Sequence, residues 1–553
     1  MHTDMKMEAA IAALQAGNLH MAEQLCSQAR QKNPFDATVV DILAMVQLKK
    51  GDRETALSTI KNALSMDGSN TLFHTHHGII LKSLGRLVDA RQAYQEALAQ
   101  DPEAPDTLFN LALLCHEMGD LEESLTLGQR VAELDPSNAA AFNNLGTTHQ
   151  DLGQFEEAAI AYRAAIALNP GHIGAYGNLA AVLAESDQID GALAVCEEAL
   201  EKWPGHPEIL NVQSNAHVKA QNWHAALLAS EESISNDPEF AQAHYGKSLI
   251  LLTQAKLEQG WPEFEWRVRR PNFWPQRHYA PPLWDGGSLV GKTLLVHWEQ
   301  GFGDILQFSR YLPLIRNLDA PPAKLVFDCP AKLISLFADW TCLDAIGDFG
   351  DAPPGVDYFI PLMSLPNRLG TTLETIPAAT PYLANPLADY FKVPPLAQTG
   401  LKVGIVWASD HGTSYRRKVC PIVEIASLFD MEDIAFYGLQ FGDDAQELDA
   451  YIARENVHNL ANDLGGFDHT AAIIEQMDVI LSIDTYIVHL AGAMNIPAWI
   501  MLAFAPDWRW FLDRSDTPWY PGSRLFRQQG PGDWASVIDA IRPALEVLIA
   551  RNK

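Results

Sequence analysis

Directly after the apolar run LLVHW, the segment EQGFGDILQF sets a carboxylate, Asp304, behind two glycines, Gly301 and Gly303. A carboxylate on the loop that leaves a strand can take a proton from an attacking hydroxyl, and loops at the carboxyl ends of strands are where open α/β sheets bind ligands. Asp is also a good helix N-cap, so residue 304 taken alone leaves both roles open. His297, just before, is the alternative base, although a lone His on a strand is more often packed than catalytic. A second group lies in ILSIDTYIVHLAGAM. A helix starting near Thr485 turns its positive end toward an anion such as a diphosphate, and His489, one turn along, reaches the same side. Asp484 repels phosphate, so its role is to accept a hydrogen bond from a ribose or sugar hydroxyl or to cap the helix. The bland alternative is an Asp/Thr cap over a core histidine. In WASDHGTSYRRKV, Ser409, His411, Ser414, Arg416, Arg417 and Lys418 bring donors and positive charge to an otherwise acidic chain. Arg416 or Lys418 is the expected pyrophosphate partner, against the reading of a solvated edge. Gln440, closing FYGLQ, either meets a nucleotide base or caps a loop. Trp508, Trp510, Trp519 and Tyr520 either stack on sugar or base or fasten the C-terminal segment to a sheet.

The elements that must position these residues fall into two halves. The 553-residue chain carries 69 acidic and 39 basic residues, a formal net charge of −30, and so large an acidic excess disfavours nucleic acid and anionic membrane as main partners. The first thirty residues lack an export signal and the most apolar stretch is broken by Asp484, His489 and Pro497, so a cytoplasmic protein without a membrane span is expected. Six cysteines without a CxxC pair read as packed, reduced thiols, with neither a disulfide framework nor a zinc site. No metal ion and no cofactor are expected.

The first half repeats every 34 residues. Pro34, Pro102, Pro136, Pro170, Pro204 and Pro238 share one register, Gly17, Gly51, Gly85, Gly119 and Gly153 a second, and Ala22, Ala56, Ala90, Ala158, Ala192 and Ala226 a third, with Ser124 in the remaining place. Small residues let paired helices approach, glycine makes the turn between them and proline ends the second helix. This pattern resembles the tetratricopeptide repeat, with seven units over about residues 3–240 and a degenerate eighth before Pro271. Such an all-α solenoid lines its inner groove with first helices and suits extended protein segments. Asn110, Asn144 and Asn178 recur at one first-helix position, and amides in register can hold a peptide backbone. They look like the asparagine ladder of O-GlcNAc transferases. The alternative is that they face solvent or bond neighbouring helices.

After a Pro-, Gly- and aromatic-rich connector at 271–292, strand-like and helix-like runs alternate over 293–385 and again over 401–553, separated by a linker at 386–400. Two Rossmann-like α/β domains imply a cleft between them. The segments EQGFGDILQFSRYLPLI, KVGIVWAS, ILSIDTYIVHLAGAMNIPAWIML and PDWRWFLDRSDTPWYPGSRLF resemble, in order and spacing, the heptosyltransferase-like GT-B domain found behind tetratricopeptide repeats in bacteria. The layout is similar to O-GlcNAc transferases and flagellin glycosyltransferases. The resemblance implies a metal-independent, inverting transferase that moves a sugar from a nucleotide donor to Ser or Thr of a protein held by the repeats, flagellin being the suggested acceptor. It assigns the catalytic base to Asp304 and sugar-nucleotide contact to Asp484, Thr485 and His489, with Gly301 and Gly303 admitting the substrates closely. Tyr486 departs from the pattern, where a small residue is usual, and a bulky phenol beside the donor site narrows or redirects the choice among UDP-, GDP-, ADP- and CMP-linked sugars. An inactive GT-B scaffold, or a transferase with a glycan or lipid-linked acceptor, are the other readings. Oligomeric state stays open.

Overall fold

The computed structural model describes residues 2–33, 35–271, 273, 279–387, 392–394, 400–409 and 418–552. Two compact units divide at residue 199, the first running from Met1 to Ala199 and the second from Leu200 to Lys553. Among the described residues, sixteen helices run from His2–Gln15 to Leu257–Phe264 as eight successive pairs. The turn glycines sit where the period places them: Gly17, Gly51, Gly85, Gly119 and Gly153 all have φ between +73° and +90°, the left-handed region that glycine enters without penalty. The backbone keeps this geometry after the glycines stop. Asp187, Gln221 and Ala255 follow at the same 34-residue step with φ of 62°, 56° and 58°. The small-residue register behaves alike. Ala22, Ala56, Ala90, Ala158, Ala192 and Ala226 are fully buried, and in the eighth pair the place falls to Gly260, where a Cβ would lie 2.7 Å from Leu252 Cδ2. Ser124, the exception, satisfies its hydroxyl on the Ala112 carbonyl at 2.9 Å.

In the second unit the last helix pair is built into the α/β part, which is why compactness divides the chain well before residue 270. Trp261 is buried, donates its indole N–H to the Thr371 carbonyl at 3.0 Å, and meets Trp508 edge-on at 5.5 Å. Beyond it come two wholly parallel sheets. The first contains β1 (Thr293–His297), β2 (Lys324–Asp328), β3 (Ala345–Gly347) and β4 (Tyr358–Pro361), in the order β3-β2-β1-β4. The second contains β5 (Leu401–Val406), β6 (Ile434–Gly438), β7 (Val457–Asn459), β8 (Val479–Ile483), β9 (Ala498–Leu502) and β10 (Arg524–Arg527), in the order β10-β9-β8-β5-β6-β7. Their interiors are almost continuously apolar, as strands covered on both faces require: β6, β8 and β9 are buried throughout. Each sheet reverses its winding once, between β1 and β4 and between β5 and β8. Ligands in such sheets bind at the carboxyl ends of strands at these reversals.

All six cysteines are free, five of them buried, and burial pushes the Cys26, Cys196 and Cys420 thiols up to about 11, 12 and 12. These are packed thiols, inert as nucleophiles at neutral pH. No described helix is long and apolar enough to cross a membrane.

Candidate functional site

The loops after β1, β5 and β8 converge on one cleft of about 890 Å³, near the upper end of the about 300–1,000 Å³ usual for small-molecule sites. Gly301, Gly303, Asp304, Ser409, Lys418, Gln440, Asp484, Thr485 and His489 all line it. Residues 304 and 485 therefore share a hollow. Arg416, with His411, Ser414 and Arg417, lies outside the described residues.

Asp304 is not the N-cap of its helix, Phe302–Phe308. Gly301 holds that place, and Asp304, three residues on, reaches back so that Oδ2 accepts the Gly301 N–H at 2.8 Å. Its other oxygen, Oδ1, accepts from Arg509 Nη2. Burial raises the Asp304 carboxyl above its ordinary value, the Arg509 charge and the Gly301 N–H opposing it only in part. Gly303 brings this helix against the Tyr486–Ala493 helix: a Cβ here would stand 2.9 Å from His489 Cδ2 and 3.5 Å from Tyr486 Cα.

On the facing wall Thr485 is the N-cap of the Tyr486–Ala493 helix, its hydroxyl 3.3 Å from Ser482 Oγ. Asp484 forms an ion pair with Lys418 at 2.9 Å. Burial works against the Asp484 anion, but Lys418 and His489 hold the carboxyl below its ordinary value. His489 is 4% exposed, with Nδ1 3.0 Å from Tyr520 Oη and its ring stacked 5.6 Å from Trp510. Burial, opposed by Asp484, drives its imidazolium down to about 3, so the folded protein keeps this ring neutral. In the unfolded chain the ring titrates near its ordinary 6.5. The stability this difference confers is complete above pH 6.5 and declines as pH falls toward 3. At pH 5 the loss is about 2 kcal/mol. Urea midpoints measured from pH 7 to pH 5 should accordingly fall more steeply for the wild type than for His489→Gln.

Gln440 spends its amide on backbone: Oε1 accepts from Trp407 N at 3.2 Å and Ala408 N at 2.9 Å, and Nε2 donates to the Phe441 carbonyl at 3.0 Å. This is the loop-capping geometry. Tyr486 packs edge-on to Phe467 at 4.9 Å, and Phe302 meets Phe467 at 4.8 Å, so one side of the cleft is aromatic. His297 is buried at the end of β1, Nδ1 3.0 Å from the Trp298 carbonyl, and does not line the cleft. Trp510, Trp519 and Tyr520 are buried in the core beneath, whereas Trp508 reaches the cleft.

Several contributors to the cleft carried little or no mark in the sequence. Asp507 and Arg509, in PDWRW, line the cleft; a cation between two tryptophans in so acidic a chain was the available signal. Tyr245 and Leu249, on the Ala241–Thr253 helix of the eighth pair, form part of the wall, and nothing in the repeat pattern marks them out. No group of three or more described His, Cys, Asp or Glu residues is arranged to hold a metal ion.

In the first unit Asn110, Asn144 and Asn178 are each half-buried on first helices. Asn110 Nδ2 donates to the Asp106 carbonyl of its own helix at 2.7 Å, and Asn178 Nδ2 to Asn143 Oδ1 at 3.1 Å. Asn144 lines a small recess of about 60 Å³ with Phe109, Leu145 and Thr148.

The tetratricopeptide-repeat family model matches residues 43–105, 76–139 and 143–207, so the helix pairs there are tetratricopeptide repeats. Among curated proteins, Protein FlbA of Caulobacter vibrioides is 27% identical over 355 residues, which cover 58% of this chain and 58% of that protein. The chain thus spans little more than half the length of that relative. Similar solved structures include YrrB, described as a TPR protein with an unusual peptide-binding site (21% identical, 34% of this chain and 98% of that one, TM-score 0.30). A tetratricopeptide repeat protein from Parabacteroides merdae is 17% identical over 45% of this chain and 98% of its own, with a TM-score of 0.36.

Proposed function

We propose that this protein is a glycosyltransferase of GT-B architecture, metal-independent and inverting, that moves a sugar from a nucleotide donor to a Ser or Thr hydroxyl of a protein recruited by its repeats. Repeats of this class are protein-binding modules, and the similarity of the overall layout to flagellin glycosyltransferases makes flagellin the suggested acceptor. The observation that carries the reading is the meeting, in one cleft, of an acidic side chain after β1 with a lysine and a helix N-terminus at the reversal of the second sheet. In the reaction Asp304 takes the proton of the acceptor hydroxyl as its oxygen attacks the anomeric carbon. The bond from that carbon to the phosphate oxygen breaks, and its electron pair leaves with the nucleotide. Lys418 and the backbone N–H groups beginning the Tyr486–Ala493 helix meet the charge that develops there. Neutral His489 offers a hydrogen bond without adding charge. Gln440, its amide held by backbone, shapes the nucleotide pocket by fixing the turn after β5 and leaves base contact to other groups.

The scaffold alternative draws on Asp304 being engaged by Arg509 rather than idle. Thermal shift with UDP, GDP, ADP and CMP, followed by turnover of the matching sugar donors, separates the two. One nucleotide class should raise the melting temperature, since saturation to 100 times Kd stabilises the native state by about 2.7 kcal/mol, and its sugar donors should be consumed. Absence of both binding and turnover across the panel would overturn the enzyme reading.

A further inference from the structure

We propose that Arg509 is the positioning residue of this site, gripping the base-bearing helix from the opposite wall of the cleft and fixing the Asp304 carboxylate toward the acceptor. The inference rests on the transferase reading above. Arg509 follows β9 in the second sheet's half, whereas Asp304 follows β1 in the first; 205 residues separate them. The guanidinium side chain is only 9% exposed, and each of its nitrogens is committed. Nη2 donates to Asp304 Oδ1, Nε to Gln307 Oε1 at 2.7 Å, and Nη1 to Asp507 Oδ1 at 2.7 Å. Gln307 is fully buried one turn beyond Asp304 on the same helix. Arg509 therefore holds that helix at two successive points, which a lone surface pair would not do. The Trp508 ring lies under the guanidinium at 4.6 Å and fixes its plane. Lys418 cannot substitute, being engaged by Asp484.

The charge arithmetic suits a base. A carboxylate this enclosed with no cation beside it takes up a proton and is lost as an acceptor, while one fully neutralised by its own guanidinium is too weak. Here a single guanidinium is shared between Asp304 and Asp507, so Asp304 is compensated in part. The other groups acting on it are the Gly301 N–H, Asp507 and Glu299 and Tyr245 from the last repeat, while Asp484, His489, Lys418 and Lys332 line the same cleft. Glu299 is tied to Arg267, which leaves Arg509 to set the protonation of Asp304.

The test is the pH profile of kcat/KM for transfer by the full-length protein and its Arg509→Gln, Arg509→Lys, Asp507→Asn and Asp304→Asn variants, each checked for folding by circular dichroism. Arg509→Gln should lose about 10–100-fold in kcat at pH 7 with donor KM within about threefold. Its acidic limb should move to higher pH by about one unit. Arg509→Lys should return the limb toward the wild type while kcat stays reduced, because the ammonium cannot reproduce the fork. Asp507→Asn, which frees the guanidinium for Asp304 alone, should move the limb to lower pH and serves should Arg509→Gln not fold. Limbs unmoved in these variants beside an inactive Asp304→Asn overturn the positioning role and leave the transferase reading standing. An Asp304→Asn variant as active as wild type removes the assigned base, and this inference with it.

Discussion

Asp304→Asn is expected to lower kcat for sugar transfer by about 10²–10⁴-fold, the range over which a positioned general base acts, with donor affinity nearly unchanged. Asparagine keeps the size of the side chain but not its basicity. It also forces a choice. In the native protein one carboxylate oxygen accepts from Gly301 N–H and the other from Arg509; an amide has one oxygen, so one of these bonds is lost. That loss costs about 1–3 kcal/mol of stability, which thermal denaturation can measure independently of turnover. The two roles left open by the sequence therefore separate experimentally. If Asp304 served only to tie the helix start, Asp304→Asn would lose the stability and keep the rate. Single-turnover assays with saturating donor, which remove product release from the measurement, give the cleanest contrast.

The sequence made the scaffold of this site legible for a definite physical reason. Helix pairs that must stack on copies of themselves need the same small residue and the same turn at each step, so the constraint repeats and can be seen in Ala22, Ala56 and Ala90 or Gly17, Gly51 and Gly85. Where one side chain could be exchanged without altering the backbone, the signal faded while the geometry persisted, as at Asp187, Gln221 and Ala255. Strand-end loops were legible too, because apolar runs ending in Gly-Asp or Asp-Thr mark the exit from a covered sheet. What a loop residue touches across the cleft was not. The tie of Asp304 to Arg509 was invisible because Arg509, 205 residues away, has no periodic relation to it. Nor could the pattern disclose that Trp261 and Tyr245 of the last repeat pack against the α/β part, since that surface occurs in no repeat.

The largest stability effect should come from Glu299, two residues before Gly301. Glu299 and Arg267 are both fully buried. Arg267 donates to Glu299 through Nε at 2.9 Å and Nη2 at 2.6 Å, and also reaches Ser364 Oγ at 2.8 Å and the Phe264 carbonyl at 3.1 Å. Glu299 Oε1 accepts in addition from Met363 N at 2.9 Å. One pair thus binds the end of the helical repeats, the exit of β1 and the exit of β4 together. Glu299→Gln removes the charge but leaves the guanidinium in place, compensated then only by Glu265, which is 24% exposed. Breaking a buried pair on one side costs about 3–5 kcal/mol, so the melting temperature should fall on the order of 5–10 °C. Activity should fall as well, because Gln300, held at φ 59°, and Gly301 hang from this anchor and carry Asp304. The paired replacement Arg267→Met with Glu299→Leu should recover much of the stability, since no buried charge then lacks a partner. A single Glu299→Gln that melts within about 1 °C of wild type would mean that apolar packing of Trp261 and Phe264, rather than this ion pair, fastens the last repeat to the α/β part.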